Sequence, residues 1–160
     1  MLSAEYLREV LDYDRQTGTF RWRVRHGHAL AGSVAGGVCQ DGYRRIGINR
    51  QCHLEHRLAW LHIHGMWPTA QVDHINGNTL DNSILNLRLA SNAQNQMNRR
   101  PSNRHGFKGI TFNRTEQKWR AQIALGGKKI TLGRFDTPEA AHDAYRNAAA
   151  RLFGEFARVE

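Results

Sequence analysis

Cysteine is scarce in this 160-residue chain, which has two, Cys39 and Cys52. They are too few and too far apart for a disulfide framework or a zinc knuckle, so a reducing intracellular compartment is expected. Lysine is missing before residue 108: all four, Lys108, Lys118, Lys128 and Lys129, come late in the chain. Proline occurs three times. Pro68 reads as a helix stop, Pro101 as part of a linker and Pro138 as a helix start. No apolar run approaches the roughly 20 residues of a membrane helix, and no signal-peptide pattern opens the chain. The most apolar tract, ALAGSVAGGV, is punctuated by glycines and reads as loop and strand. These absences predict a cytoplasmic protein that neither spans nor enters a membrane. Neither a long internal repeat nor a low-complexity tract is visible.

Positive charge is what the chain has in excess. The formal net charge is +9 with a pI near 10.4, which points to a polyanionic partner. Residues 1–98 carry 10 Lys+Arg against 8 Asp+Glu, a net of +2, and residues 99–160 carry 13 against 6, a net of +7. The second part is therefore the expected electrostatic footprint. The length allows one domain or two small ones with modest cores.

Three blocks follow from pattern. In residues 1–68, Ser3 can cap a helix with Tyr6, Leu7, Val10 and Leu11 on one face. TGTFRWRVR alternates Phe20, Trp22 and Val24 with Arg21, Arg23 and Arg25, a strand with one basic face. YRRIGI and QCHL form a predicted hairpin through Asn49 and Arg50. HRLAWLHIHG is a predicted amphipathic helix ending near Gly65. The second block is VDHINGNTLDNSILNLRLASNAQNQMN, residues 72–98. The third follows a linker at 99–106: GITFN, KWRAQIAL and KKITLGRF read as three strands, with Gly126–Gly127 turning the second into the third. TPEAAHDAYRNAAARLFG closes as a helix with Thr137 at the N-cap, Pro138 at its first position and Gly154 past its end.

The second block places one carboxylate, one imidazole and many neutral amides together. Cutting a phosphodiester takes a base to activate water and something to neutralise charge on the phosphate. Imidazole is the side chain that titrates nearest neutral pH, so His74 suits the base. Asp73 offers one hard oxygen, and an asparagine amide offers another without adding charge. A few protein oxygens completed by phosphate and water is how magnesium is usually held. A mid-loop asparagine could bond backbone or side-chain groups and hold the imidazole's orientation. The plainer alternative is that asparagines simply make turns. A helix–loop–helix calcium site is excluded, because counting from Asp73 puts Ile75 and Ile84 at the third and twelfth ligand positions. The pairs His26/His28, His62/His64 and His53/His56 have loose metal-ligand spacing but no partners in pattern.

The order of the pieces resembles the HNH homing-endonuclease family of phages and bacteria. DHINGN is followed by Asn86 in ILNLR and Asn95 in AQNQMN, and HRLAW, GMWP and VDHI run upstream in the family's order. The resemblance implies a ββα-metal unit at about 70–98 within a nuclease domain of residues 1–98. It implies His74 as general base, Asp73 as metal-binding acid, Asn86 as the central asparagine that orients the site, and Asn95 as the second ligand. Asn98, one turn on, is the alternative to Asn95. Many relatives carry histidine where this chain has Asn95, which favours magnesium, or manganese, over zinc.

The third block resembles the plant ethylene-response-factor type of DNA-binding domain, through GFKGITF, KWRAQI, KITLGRFDTPEAAHDAY and AARLFGEFAR. The resemblance implies a domain at 107–160 whose three-stranded sheet enters the major groove with one helix behind it. Alternation agrees, turning Trp119, Ala121, Ile123 and Leu125 toward the helix and Lys118, Arg120 and Gln122 outward. Lys108 on the first strand, and Lys129, Thr131 and Arg134 on the third, match DNA-contacting positions. The plant domains have arginine where this chain has Thr111, Asn113 and Ala124, so their sequence preference does not transfer; Asn113 stays among the DNA-binding candidates. The expectation is thus an α+β chain: a small mixed region with an HNH unit, then a three-stranded antiparallel sheet packed on one helix. It predicts a free-standing, phage-type endonuclease acting on double-stranded DNA as a monomer, with a divalent metal and no small-molecule cofactor. A DNA-binding regulator with a silent HNH unit is the alternative.

Overall fold

The computed structural model describes residues 2–98 and 106–157. The expected linker therefore lies outside the described residues except for Gly106. The chain divides into two compact units, Met1–Ala90 and Ser91–Glu160.

In the first unit, α1 (Ala4–Val10) starts where the Ser3 hydroxyl accepts the Tyr6 N–H at 3.2 Å. It ends at Leu11, whose backbone is already extended and opens β1 (Leu11–Tyr13). Leu11 is buried as expected, but from a strand and not from the helix face, while Tyr6 is exposed. The Asp14 carboxylate accepts the N–H groups of Gln16 and Thr17, which reverses the chain into β2 (Phe20–Trp22). This strand is shorter than the alternation predicted. After Trp22 the chain loops out and returns, so that Ser33 and Ala35 complete the backbone bonding of Trp22 and Phe20. Val24, beyond the strand, is 46% exposed.

Next come β3 (Gly37–Val38), β4 (Arg44–Ile48) and β5 (Gln51–Leu54), an antiparallel sheet in the order β3-β4-β5. Asn49 and Arg50 join β4 to β5 with φ of 50° and 62°, the left-handed pair that a two-residue hairpin needs. Helix α2 (Glu55–His64) ends on Gly65 at φ 75°. The strands β6 (Gln71–His74) and β7 (Leu87–Ala90) pair antiparallel around the intervening loop. Leu7, Leu11, Phe20, Ile46, Ile48, Leu58 and Leu61 are fully buried in one core. Each such side chain contributes about 1.5–3 kcal/mol of burial.

The second unit begins with α3 (Asn92–Asn98) and continues with β8 (Ile110–Asn113), β9 (Lys118–Leu125) and β10 (Lys128–Phe135), ordered β10-β9-β8. Helix α4 (Pro138–Phe153) packs on this sheet, capped by Thr137, whose hydroxyl accepts the Ala140 N–H. Ala121 and Ile123 of β9 meet Ala141, Tyr145 and Ala149 of α4. Gly109 is required here: a Cβ on it would lie 2.0 Å from the Tyr145 ring. Mixed helix and strand, with a three-stranded antiparallel sheet on a helix, is the predicted α+β class. Among the described residues no helix is long and apolar enough to cross a membrane.

Candidate active site

β6 carries both chemical residues to the end of a two-stranded ribbon, where Asp73 and His74 are buried. The register sets Asp73 opposite Arg88 of β7. Arg88 donates from Nε, and its terminal nitrogen lies 3.1 Å from the same oxygen, Asp73 Oδ2. A buried carboxylate is thereby compensated by a cross-strand guanidinium.

The amides of the following loop form a closed scaffold. Asn86 accepts the Asn76 N–H at 3.0 Å and donates to the Asp81 carbonyl at 2.7 Å. Asn76 donates to the Asp81 carboxylate, and the Asn76 and Asn78 side chains accept the N–H groups of Asn78 and Leu80. Asp81 in turn binds the hydroxyl and N–H of Ser83, chiefly the hydroxyl holding its carboxyl below the usual range. Both side-chain bonds of Asn86 thus end on the loop and not on the imidazole.

The partner of the imidazole is Asn82, whose Oδ1 lies 3.0 Å from His74 Nε2. Asn82 is 1% exposed, and it also acts on the carboxyl of Glu55 at the start of α2. Glu55, equally buried, accepts from Arg44 Nε at 2.8 Å. Burial pushes the Glu55 carboxyl up, and Arg44 and Asn82 offset part of that rise. Asn82 is further held through its backbone: its carbonyl accepts the Tyr13 hydroxyl at 2.7 Å. Gly18, at φ 71°, lies so close that a Cβ would come within 2.3 Å of the Asn82 carbonyl carbon. The hairpin of β1 and β2 therefore buttresses the loop that holds the imidazole. His56 stands edge-to-face to His74 at 5.0 Å, with Tyr43 beside both rings. Burial first, then the nearby His74, pushes His56 down to about 3.

Asp73, His74 and Asn86 are thus gathered at one end of β6 and β7. Asn95 and Asn98 stand on α3, within the second unit, where the Asn95 N–H bonds the Ser91 carbonyl. Sequence reasoning passed over Asn82, Glu55 and Arg44. The signal was present in EHRLAW, where Glu55, Leu58 and Ala59 share the core-facing stripe of a helix and a carboxylate in that stripe needs a partner.

Among the described residues no group of three or more His, Cys, Asp or Glu could hold a metal ion, so the loose histidine pairs do not assemble. One carboxylate and one neutral amide, the side-chain types of Asp73 and Asn95, are by their chemistry a donor pair that suits a hard ion which keeps water and takes phosphate oxygens. It is a poor set for zinc.

On the second unit, the register lines up Thr111, Arg120 and Arg134 across the three strands, with Gln122 beside Thr131 and Ala124 beside Lys129. These residues share the sheet face away from α4. Lys118 pairs with Asp136, and Arg134 with Glu116 at 2.9 Å. Asn113 accepts the N–H groups of Thr115 and Glu116 and so closes the turn between β8 and β9. Arg120 Nε is buried with no hydrogen-bond partner among the described residues. Lys108 lies in the turn before β8 and not on the strand, and its ammonium donates to the Gln96 carbonyl.

A model of the HNH endonuclease family matches residues 53–97, from β5 into α3. Protein 3.8 of Escherichia phage T7 is 33% identical over 106 residues, covering 64% of this chain and 87% of that protein. An uncharacterized HNH endonuclease of Acanthamoeba polyphaga mimivirus is 37% identical over 105 residues, covering 64% of this chain and 54% of its own length. Over 48 residues the chain is 42% identical to an AP2-like ethylene-responsive transcription factor of Arabidopsis thaliana, 30% of this chain but 10% of that protein. No solved structure matches. The family segment contains the buried Asp73-His74 pair and the asparagine-tied loop, and similarity to the phage protein covers most of that protein's length: the chain belongs to the HNH endonuclease family.

Proposed function

We propose that this protein is a free-standing, homing-type DNA endonuclease in which His74 is the general base for phosphodiester hydrolysis. The observation that carries this reading is the buried His74 imidazole, held at 3.0 Å by Asn82 next to an Arg88-compensated Asp73. With Nε2 directed at an amide oxygen, Nδ1 is the nitrogen that takes the proton from water. Asn86 acts as a positioning residue by tying the loop that follows the base. Asp73 and Asn95, or Asn98 in its place, would hold a magnesium or manganese ion, which when bound neutralises charge on the phosphate and the leaving oxygen. The sheet face carrying Arg120, Gln122, Lys129 and Thr131 grips duplex DNA, supported by the net of +7 beyond residue 98 and by the orphaned Arg120 Nε. Lys118 and Arg134 join it on release from their carboxylates, with Lys108 and Asn113 at its margin. The protein works as a monomer in the compartment that holds its target DNA.

The test is a nicking assay on supercoiled plasmid, with magnesium and with chelator. Wild-type protein should cut only with the metal. His74→Ala should lose about 10²–10⁴-fold in rate while binding duplex nearly as well. Full activity in that variant would remove His74 as the base, and cutting under exhaustive chelation would remove the metal.

A further inference from the structure

We infer that Leu85 is a wedge that enters the base stack of the bound duplex and opens a base step near the bond to be cut. The inference rests on the reading of this protein as a DNA endonuclease and adds how its substrate is deformed.

Leu85 is 89% exposed; among the described residues no other large apolar side chain exceeds the 64% of Leu30 and Met66. A single surface leucine ordinarily needs no explanation. This one is held in place by its surroundings. It is the middle residue of one helical turn, Ile84–Asn86, between half-buried Ile84 and buried Asn86. The Asn86 N–H donates to the Ser83 carbonyl at 3.0 Å, the Leu87 N–H to the Ile84 carbonyl, and the Ile84 N–H to the Arg15 carbonyl at 3.1 Å. The two side-chain bonds of Asn86 tie the same turn to the loop after β6. A backbone held at both ends cannot fold the leucine back into the core, so only a partner takes it out of water.

Its position says which partner. His74 is paired with Leu87, and the Ile75 N–H, the next after the candidate base, donates to the Asn86 carbonyl at 2.8 Å. Leu85 lies two residues before Leu87, at most about 7 Å along the chain. That is about two steps of duplex at about 3.4 Å each. DNA with a phosphate at His74 therefore has stacked bases within reach of Leu85. Apolar side chains, leucine among them, unstack and kink DNA by entering between base pairs. Arg15, exposed and bonded through its carbonyl to the residue before Leu85, adds a cation beside the turn. The carboxylates of the two joined turns, Asp14 and Asp81, are engaged within them by the hydroxyls of Thr17 and Ser83. A second copy of this chain is the other partner that would cover a leucine, and the experiment separates the two.

The experiment uses the full chain, Leu85→Ala and Leu85→Met. Each is bound to closed circular plasmid in chelator while a metal-independent topoisomerase relaxes the DNA. An inserted side chain unwinds the duplex, so wild type should lower the linking number in proportion to protein bound. Leu85→Ala should lose most of that unwinding, while its affinity at low salt, set mainly by phosphate contacts, stays within about threefold. Leu85→Met keeps a long apolar side chain and should still unwind. Nicking with magnesium is then measured on a short duplex copied from the mapped nick site. Leu85→Ala should be slower by about 10–100-fold on paired DNA. It should recover nearly to wild type when a two-base mismatch lies within about two base pairs of the nick, because mismatched bases are already easy to unstack. Thermal melting and sedimentation of Leu85→Ala should match wild type. Equal unwinding by wild type and Leu85→Ala, or equal nicking of the paired duplex, would overturn the inference. So would a lowered melting temperature, which would mean that Leu85 packs within the protein, or a wild-type dimer that Leu85→Ala dissociates. Unwinding needs no cleavage, so plasmid that is unwound but never nicked would remove the nuclease reading and leave the wedge.

Discussion

Protonating His56 would strain the fold, because its ring is buried between Tyr43 and His74. Arg45 and Arg57 add further positive charge nearby. In the folded chain His56 titrates at about 3, against an ordinary 6.5. Between those values the unfolded chain binds a proton that the native state refuses, so stability falls as pH falls through that window. The slope is at most about 1.4 kcal/mol per pH unit. Urea unfolding of the full chain at pH 7 and pH 5 should show that loss, and His56→Gln should remove up to about 2 kcal/mol of the difference. Gly18→Ala is the sharper lesion. Its left-handed backbone and its 2.3 Å approach to the Asn82 carbonyl carbon leave no room for a methyl. It should cost at least about 1 kcal/mol in denaturant unfolding, and nicking should fall further than stability does. Of these residues, Asp73 and His74 were legible in the sequence because their neighbours DHINGN and ILNLR give them context. Asn82 looked like one more turn asparagine. What makes it different is contact with Tyr13 and Gly18, which lie far from it in sequence and are joined to it only by folding.

Among the elements, those with a long period or a chemical boundary were legible. Helix α4 has Thr137, Pro138 and Gly154 to mark its ends, and β9 alternates through eight residues. The pairing of β1 with β2 was not, since three-residue strands are too short to show a period, and β3 has only two residues. The grouping of α3 with the second unit was equally invisible, because the family pattern runs on through residue 97 without a break. The loop between β6 and β7 makes a prediction of its own. Asn86→Ala would remove its part-buried hydrogen bonds to the Asn76 N–H and the Asp81 carbonyl, at about 0.5–1.5 kcal/mol for each bond lost. Hydrogen exchange should rise at the Asn76 amide, and nicking should drop although no hydrogen bond runs from Asn86 to the imidazole. Unchanged exchange there would show that the loop is held by Asp81 and the other asparagines alone.

At the scale of the whole molecule, charge and chemistry are divided: a near-balanced stretch bears the candidate base, and a basic one bears the sheet. Each lysine or arginine that meets a phosphate should contribute about 0.9 to the slope of log affinity against log salt. Lys129→Ala and Arg120→Ala should each flatten that slope by about that much in duplex titrations. Lys118→Ala and Arg134→Ala should do less, because each cation must first leave Asp136 or Glu116. Equal losses at all four positions would mean that those ion pairs do not persist in solution. The buttress of the imidazole carries a consequence for transplanting this nuclease. The segment shared with the family, residues 53–97, contains Glu55, His74 and Asn82, but Tyr13, Gly18 and Arg44 lie before it. Moved as a cassette into another scaffold, that segment would arrive with every motif letter and without its clamp. Such a chimera should bind and fold according to its host yet fail to nick DNA, and the smallest portable unit should have to begin upstream of Tyr13.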